Sequence, residues 1–147
     1  MIELLLVGIG TGNPDHLTLQ AIKALNSADL VMIPRKGETK ADLAELRRAI
    51  CTEVVTNPAT RIVGFDLPVR DERTADYRQR VDEWHDAIAL VWKDTIQAEI
   101  GPSGRVALLV WGDPSLYDST LRIAARLAGS LDLKVSVIPG ITALQAL

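Results

Sequence analysis

The chain has 147 residues, 48% of them hydrophobic, with a formal charge of −3 and one cysteine, Cys51. That composition supports one packed domain and argues against a disordered chain, a basic nucleic-acid-binding surface and an intrachain disulfide. No apolar run reaches membrane-spanning length and the start lacks the features of a signal peptide, so a cytoplasmic protein with no membrane partner is expected.

Residues 2–7 form an apolar run of the kind found in a strand buried on both faces. Residues 14–26 read as the first helix, with Asn13 as N-cap, Pro14 at the first helical position and Asp15 at the positive end of the dipole. Leu17, Ala21, Ala24, Leu25 and Ala28 share one face of it. Residues 29–33 (DLVMI) read as a second strand, stopped by Pro34.

The spacing predicts a second helix over 39–49, with Leu43, Leu46 and Ile50 inward, and a third strand over 61–65. A long helix is expected from about Thr74, with a seam of Tyr77, Val81, Trp84, Ile88, Val91 and Thr95, ended by Gly101-Pro102. A fourth strand follows at 105–111, a helix at 116–127 and a fifth strand at 134–138. The last residues, ITALQAL, open a helix without a stop signal, which predicts that the chain is the N-terminal part of something longer. Five strands separated by helices predict a mainly parallel α/β sheet with helices on both faces.

In such a sheet a ligand lies beyond the carboxyl ends of the strands. Three loops there have unusual composition: GIGTGNP after the first strand, GDPS after the fourth and PGITA after the fifth. Gly8, Gly10 and Gly12 read either as a variant nucleotide-binding turn or as a tight turn with no ligand; the dinucleotide pattern needs a third glycine where Asn13 stands. Asp113 can accept from a ligand or from its own loop, or the stretch is an ordinary strand-to-helix turn with Asp113 or Ser115 as N-cap. Thr142 can offer a hydroxyl to a ligand, or it can begin a helix. His16 and His85 read as surface histidines, and Cys51 as a buried small residue. Arg35, Lys36, Lys40, Arg47 and Arg48 can meet an anionic substrate or form a solvated face. No spacing suggests a metal site.

Taken in order, VGIGTGNPDHLTLQAI, GDPSLY and VIPGITA resemble the tetrapyrrole methylase family. Its members carry V-G-x-G-P-G-D-x-x-L-L-T-x-x-A, then G-D-P, then P-G-[VI]-[ST]-[SA]. The likeness covers nearly the whole chain. Thr11, Asn13 and the block KGETKADLAELRRAI point within the family to the branch that methylates a precorrin with loss of an acetyl group in cobalamin biosynthesis. The resemblance implies S-adenosylmethionine as cofactor, held by Thr11, Gly112, Asp113, Pro114, Tyr117, Thr142 and Ala143. It places Gly10, Gly12, Arg35 and Lys36 at a tetrapyrrole substrate, and it implies a homodimer.

Some relatives carry an aspartate in a Y-D-R context at the end of the second strand, where this chain reads I-P-R, so no catalytic residue is carried over. Residues 1–138 are then the N-terminal methylase domain and 139–147 the start of the connection to a second α/β domain, which this chain lacks. The alternatives are another methylase of the same fold, such as a uroporphyrinogen methylase, a dinucleotide-binding oxidoreductase domain, or a noncatalytic scaffold.

Overall fold

A computed structural model describes residues 1–35, 41–68, 73, 76–116 and 118–147. Five strands form one parallel sheet in the order β3-β2-β4-β1-β5. They are β1 (Ile2–Gly8), β2 (Leu30–Arg35), β3 (Arg61–Asp66), β4 (Gly104–Val110) and β5 (Leu133–Ile138). The helices are α1 (Leu19–Ser27), α2 (Ala41–Val54), α3 (Tyr77–Ile100), α4 (Asp118–Ala128) and α5 (Ala143–Ala146). The expected parallel sheet with helices on both faces is therefore present.

The apolar run of β1 has its reason in the two cores it serves. Leu4 and Leu6 pack with Ile88, Trp92 and Ile96 of α3 and Ile123 and Leu127 of α4. Leu5 and Val7 pack on the opposite face with Ala21 and Leu25 of α1 and Ile50 and Cys51 of α2. The connections from β1 to β2 and from β2 to β3 run toward one edge of the sheet, and those from β3 to β4 and β4 to β5 run back the other way. Right-handed crossovers that run in opposite directions put their helices on opposite faces. The adjacent strands β1 and β4 thus send the helices that follow them to opposite faces of the sheet, which makes their carboxyl ends a switch point.

Several expectations are corrected. The first helix is not continuous: a 3-10 turn at Pro14–His16 is followed by extended Leu17, and α1 begins after Thr18. Each piece has its own cap, because Asn13 Oδ1 accepts from the Asp15 N–H (2.9 Å) and Thr18 Oγ1 accepts from the Ala21 N–H (3.0 Å). Pro34 does not stop β2 but lies within it, opposite Phe65. Pairing between β2 and β4 ends at Met32 and Leu108, and Arg35 turns its carbonyl to β3, accepting from Leu67. The proline nitrogen therefore faces the side where β2 has no partner, and no ladder bond is lost.

Helix α2 turns Ala44, Ile50 and Cys51 inward, and Leu43 and Leu46 are exposed. The small Ala44 lets the helix approach the sheet, which a leucine row would hold off. The long helix starts at Tyr77, after the cap Asp76, and its buried stripe is His85, Ile88, Ala89, Trp92 and Ile96. Tyr77 is exposed and His85 is buried, the reverse of the expectation. Because α3 packs on both the sheet and α4, Trp84 and Val91 remain as half-buried flanks of a wider face. Cys51 is buried, as expected. The expected helix start Thr39, and Thr74, lie outside the described residues.

Candidate functional site at the carboxyl rim of the sheet

The tips of β1, β4 and β5 meet through their backbones. Gly10 donates its N–H to Gly112 O (3.3 Å) and Gly112 returns its own to Gly10 O (2.8 Å). Both have positive φ, 73° and 66°, a region that L side chains avoid. A Cβ on Gly8 would lie 2.7 Å from Gly140 N and 2.8 Å from Gly112 O, and one on Gly140 would overlap Gly112 O. Three loops distant in sequence are thus in van der Waals contact, and only glycine permits it. The glycine turn is not a free-standing tight turn; it is one of three parts of a main-chain rim.

Within that rim several side chains bond to their own loops. Asp113 Oδ1 accepts from the Ser115 N–H (3.0 Å) and the Ser115 hydroxyl (2.8 Å), so one carboxylate oxygen serves its own loop. Pro114 is buried in the 3-10 turn that follows. Thr142 caps α5 in a capping box with Gln145, whose side-chain oxygen accepts from the Thr142 N–H (2.9 Å). Ala143 is exposed beside it. Thr11 Oγ1 lies 2.6 Å from His16 Nδ1. His16 is therefore half-buried and bonded, not a solvated surface histidine. Tyr117 and Lys36 lie outside the described residues. Arg35 is engaged by Asp66, with Nε 3.1 Å from Oδ1.

A second feature adjoins the rim. Where β2 and β4 part, a cavity of about 530 Å³ opens between the strand ends and the helices α2, α3 and α4. All three tryptophans of the chain, Trp84, Trp92 and Trp111, line it, together with its one phenylalanine, Phe65. The wall is otherwise aliphatic but for Thr120 and Arg47. The Arg47 guanidinium lies over the Trp111 ring, 5.2 Å from its centroid. Arg47 Nε and Trp111 Nε1 are both buried without a hydrogen-bond partner among the described residues. Burial lowers the Arg47 pKa from its ordinary value, since the charge has lost water. An apolar cavity edged by an arginine whose Nε has no partner among the described residues fits a flat, largely apolar ligand that carries an acidic group.

Trp111 joins the two features. It directly precedes Gly112, and its ring edge lies 3.3 Å from the point where Gly12 would carry a Cβ. Sequence reasoning included Arg47 only among a group of cations and missed Trp111 and the cavity. The one sequence signal was three tryptophans in a chain with 4% aromatic residues. Among the described residues no cluster of His, Cys, Asp and Glu forms a metal site, and no helix is long and apolar enough to cross a membrane.

A parallel α/β sheet with a glycine rim at the switch between β1 and β4 defines a small-molecule-binding fold. The profile of the family described as Tetrapyrrole (Corrin/Porphyrin) Methylases matches residues 3–147, and the chain belongs to that family. It is 50% identical, over its whole length, to Precorrin-6A synthase [deacetylating] of Sinorhizobium sp, of which it covers 57%. It is 31% identical to Precorrin-2 C(20)-methyltransferase of the same source, over 97% of this chain and 55% of that protein. The chain thus spans little more than half the length of these curated relatives. Among solved structures, a cobalamin synthesis related protein (CobF) from Corynebacterium diphtheriae aligns with a TM-score of 0.74 and 40% identity, over 99% of this chain and 56% of that one. Uroporphyrin-III C-methyl transferase from Thermus thermophilus, solved with S-adenyl homocysteine, shares the fold at a TM-score of 0.56 and 24% identity, over 98% of this chain and 50% of that one.

Proposed function

We propose that the protein is an S-adenosylmethionine-dependent C-methyltransferase of corrin-ring biosynthesis, acting on precorrin-5 with loss of its acetyl group to give precorrin-6A. The observation that carries this reading is the meeting of the Gly10, Gly112 and Gly140 loops at one rim, in a chain half identical to a protein of that name. The rim fits a cofactor whose polar groups are met by main chain: the backbone around Thr11 and from Gly112 to Pro114 would hold it, with Thr142, Ala143 and Tyr117. Once bound, the sulfonium supplies a methyl group that needs in-line alignment and dryness more than a strong acid or base.

The chain's own residues provide that setting. Gly10 and Gly12 keep the rim free of side chains where the reacting partners approach, and Trp111 borders both the rim and the cavity. The cavity takes the macrocycle, and Arg47 meets one of its carboxylates. Arg47 is better placed for this than Arg35, because Arg35 is already paired with Asp66. Positioning of this kind contributes on the order of 7–11 kcal/mol to bimolecular reactions. The proposal extends to a cytoplasmic homodimer with a small-molecule substrate and no nucleic-acid partner. It also assigns residues 1–138 to an N-terminal domain and 139–147 to the connection toward a second α/β domain, which supplies the rest of the pocket.

The test is calorimetry of the natural gene product with S-adenosylmethionine and, separately, NADP, then mass spectrometry of the product from precorrin-5. Binding of the first ligand and a macrocycle that has gained methyl and lost acetyl support the reading. Tight binding of NADP with no heat from S-adenosylmethionine defeats it. Light scattering of the same sample checks the dimer.

A further inference from the structure

Two side chains on the rim depart from the family pattern at positions that meet in space. In V-G-x-G-P-G-D-x-x-L-L-T, positions 11 and 16 of this chain fall on proline and leucine, whose side chains have no polar atoms. Here they are Thr11 and His16, and the hydroxyl and the imidazole Nδ1 are 2.6 Å apart. Thr11 Oγ1 is also 3.4 Å from the Asn13 N–H, which it accepts. The pair is tied to the rim: a Cβ on Gly10 would stand 3.2 Å from His16 O and 3.4 Å from His16 Cβ. Thr11 is exposed and His16 half-buried, so the imidazole is reachable from outside the core.

Methyl transfer to a nucleophilic carbon calls for no base, but removal of an acetyl group by water does. We propose that His16 is the general base of deacetylation and that Thr11 is its positioning residue, an inference that rests on the functional reading above. With Nδ1–H donated to Thr11 Oγ1, the Nε2 lone pair is left to accept a proton. Nε2 takes a proton from water as the water oxygen bonds to the acetyl carbonyl carbon. The resulting alkoxide collapses and the bond between acetyl and macrocycle carbon breaks. Acetic acid leaves, and the electron pair stays on the conjugated macrocycle carbon, the one that is methylated. The imidazolium then returns its proton to solvent. Thr11 fixes the tautomer and ring orientation and touches no reacting atom.

The experiment uses the natural gene product with precorrin-5 and S-adenosylmethionine, and it reads acetate released, cofactor affinity by calorimetry and the melting temperature. His16→Gln keeps a partner for Thr11 but no base; acetate release is expected to fall by about 10²- to 10⁴-fold with cofactor affinity unchanged within about threefold. Added imidazole restores acetate release to His16→Ala, which a structural role for the ring does not predict. Thr11→Val lowers release by about tenfold through loss of orientation. Release by His16→Gln within about threefold of the unsubstituted protein overturns the inference, as does an acetylated Thr11 trapped during turnover. An unsubstituted protein that binds no S-adenosylmethionine overturns the functional reading and this inference with it. One that binds it and deacetylates, while His16→Gln does the same, overturns the inference alone.

Discussion

The α-carbon of Gly140 points at the carbonyl oxygen of Gly112, so closely that a methyl group in its place would overlap that oxygen. The neighbours of this contact are also backbone, at Gly8. No side chain can swing aside to make room, so relief requires the β4 and β5 loops to separate. Gly140→Ala is expected to cost at least about 1–3 kcal/mol, as overpacking does, more than the gain from a stiffer unfolded chain. Urea denaturation measures the loss. Calorimetry with S-adenosylmethionine should show weaker binding even where the variant is fully folded.

Arg47 lends itself to a stability and function split. Its buried Nε has no partner among the described residues, which is costly, while its stacking on Trp111 offsets part of that cost. Arg47→Met keeps the length and apolar stem, so the melting temperature should hold or rise. Binding of the carboxylate-bearing macrocycle should weaken by roughly 10- to 100-fold, the worth of a charge-assisted hydrogen bond of about 1.5–3 kcal/mol. Arg47→Lys should recover only part of it, because a point charge lacks the guanidinium fork. A titration of substrate fluorescence checks both variants.

Asn26 uses both ends of its amide to lash α1 to the segment between α2 and β3. Its Nδ2 donates to Ile22 O and Val54 O, each at 2.9 Å, and its Oδ1 accepts from the N–H groups of Thr56 (2.7 Å) and Asn57 (3.0 Å). Asn26→Ala leaves those partners unmatched in a half-buried joint and should cost about 2–3 kcal/mol. Chemical denaturation measures it. Since the joint lies at the opposite ends of the strands from the glycine rim, cofactor affinity of the folded variant should not change.

The Cys51 thiol gives a pH-dependent signal. Burial raises its pKa to about 11, against a smaller opposing effect of Arg48. An acid whose pKa is higher folded than unfolded contributes stability that is complete below the unfolded value. That stability is lost as pH climbs from about 9 toward about 11, because the unfolded chain sheds its proton first. The contribution is at most about 2–3 kcal/mol. Cys51→Ser should flatten that part of the pH–stability curve, and iodoacetamide at pH 8 should label the native thiol only at the rate of opening.

The strands were legible because each is an apolar run bounded by turn residues, and both faces of β1 are covered. The rim was legible for a different reason: Gly8, Gly112 and Gly140 leave a mark in sequence wherever backbones must touch. The helix faces read less well. Leu43 and Leu46 look like a core stripe, yet the sheet accepts Ala44 there, since close approach favours the smaller residue. On α3 the presence of Ala89 and the buried His85 shifted the stripe away from Tyr77. Pro34 looked like a stop because sequence does not tell which side of a strand lacks a partner. The cavity left only the three tryptophans as a mark in the sequence. It arises from β2 and β4 diverging past Met32 and Leu108, a property of pairing and not of any single segment.

Because the rim is made of main chain, it exerts little demand on the residues hung along its lip. Positions 11 and 16 carry a hydroxyl and an imidazole beside a Gly10–Gly112 bridge that is made by main chain alone. A scaffold of this sort lets side chains be varied by decoration while the backbone platform stays as it was.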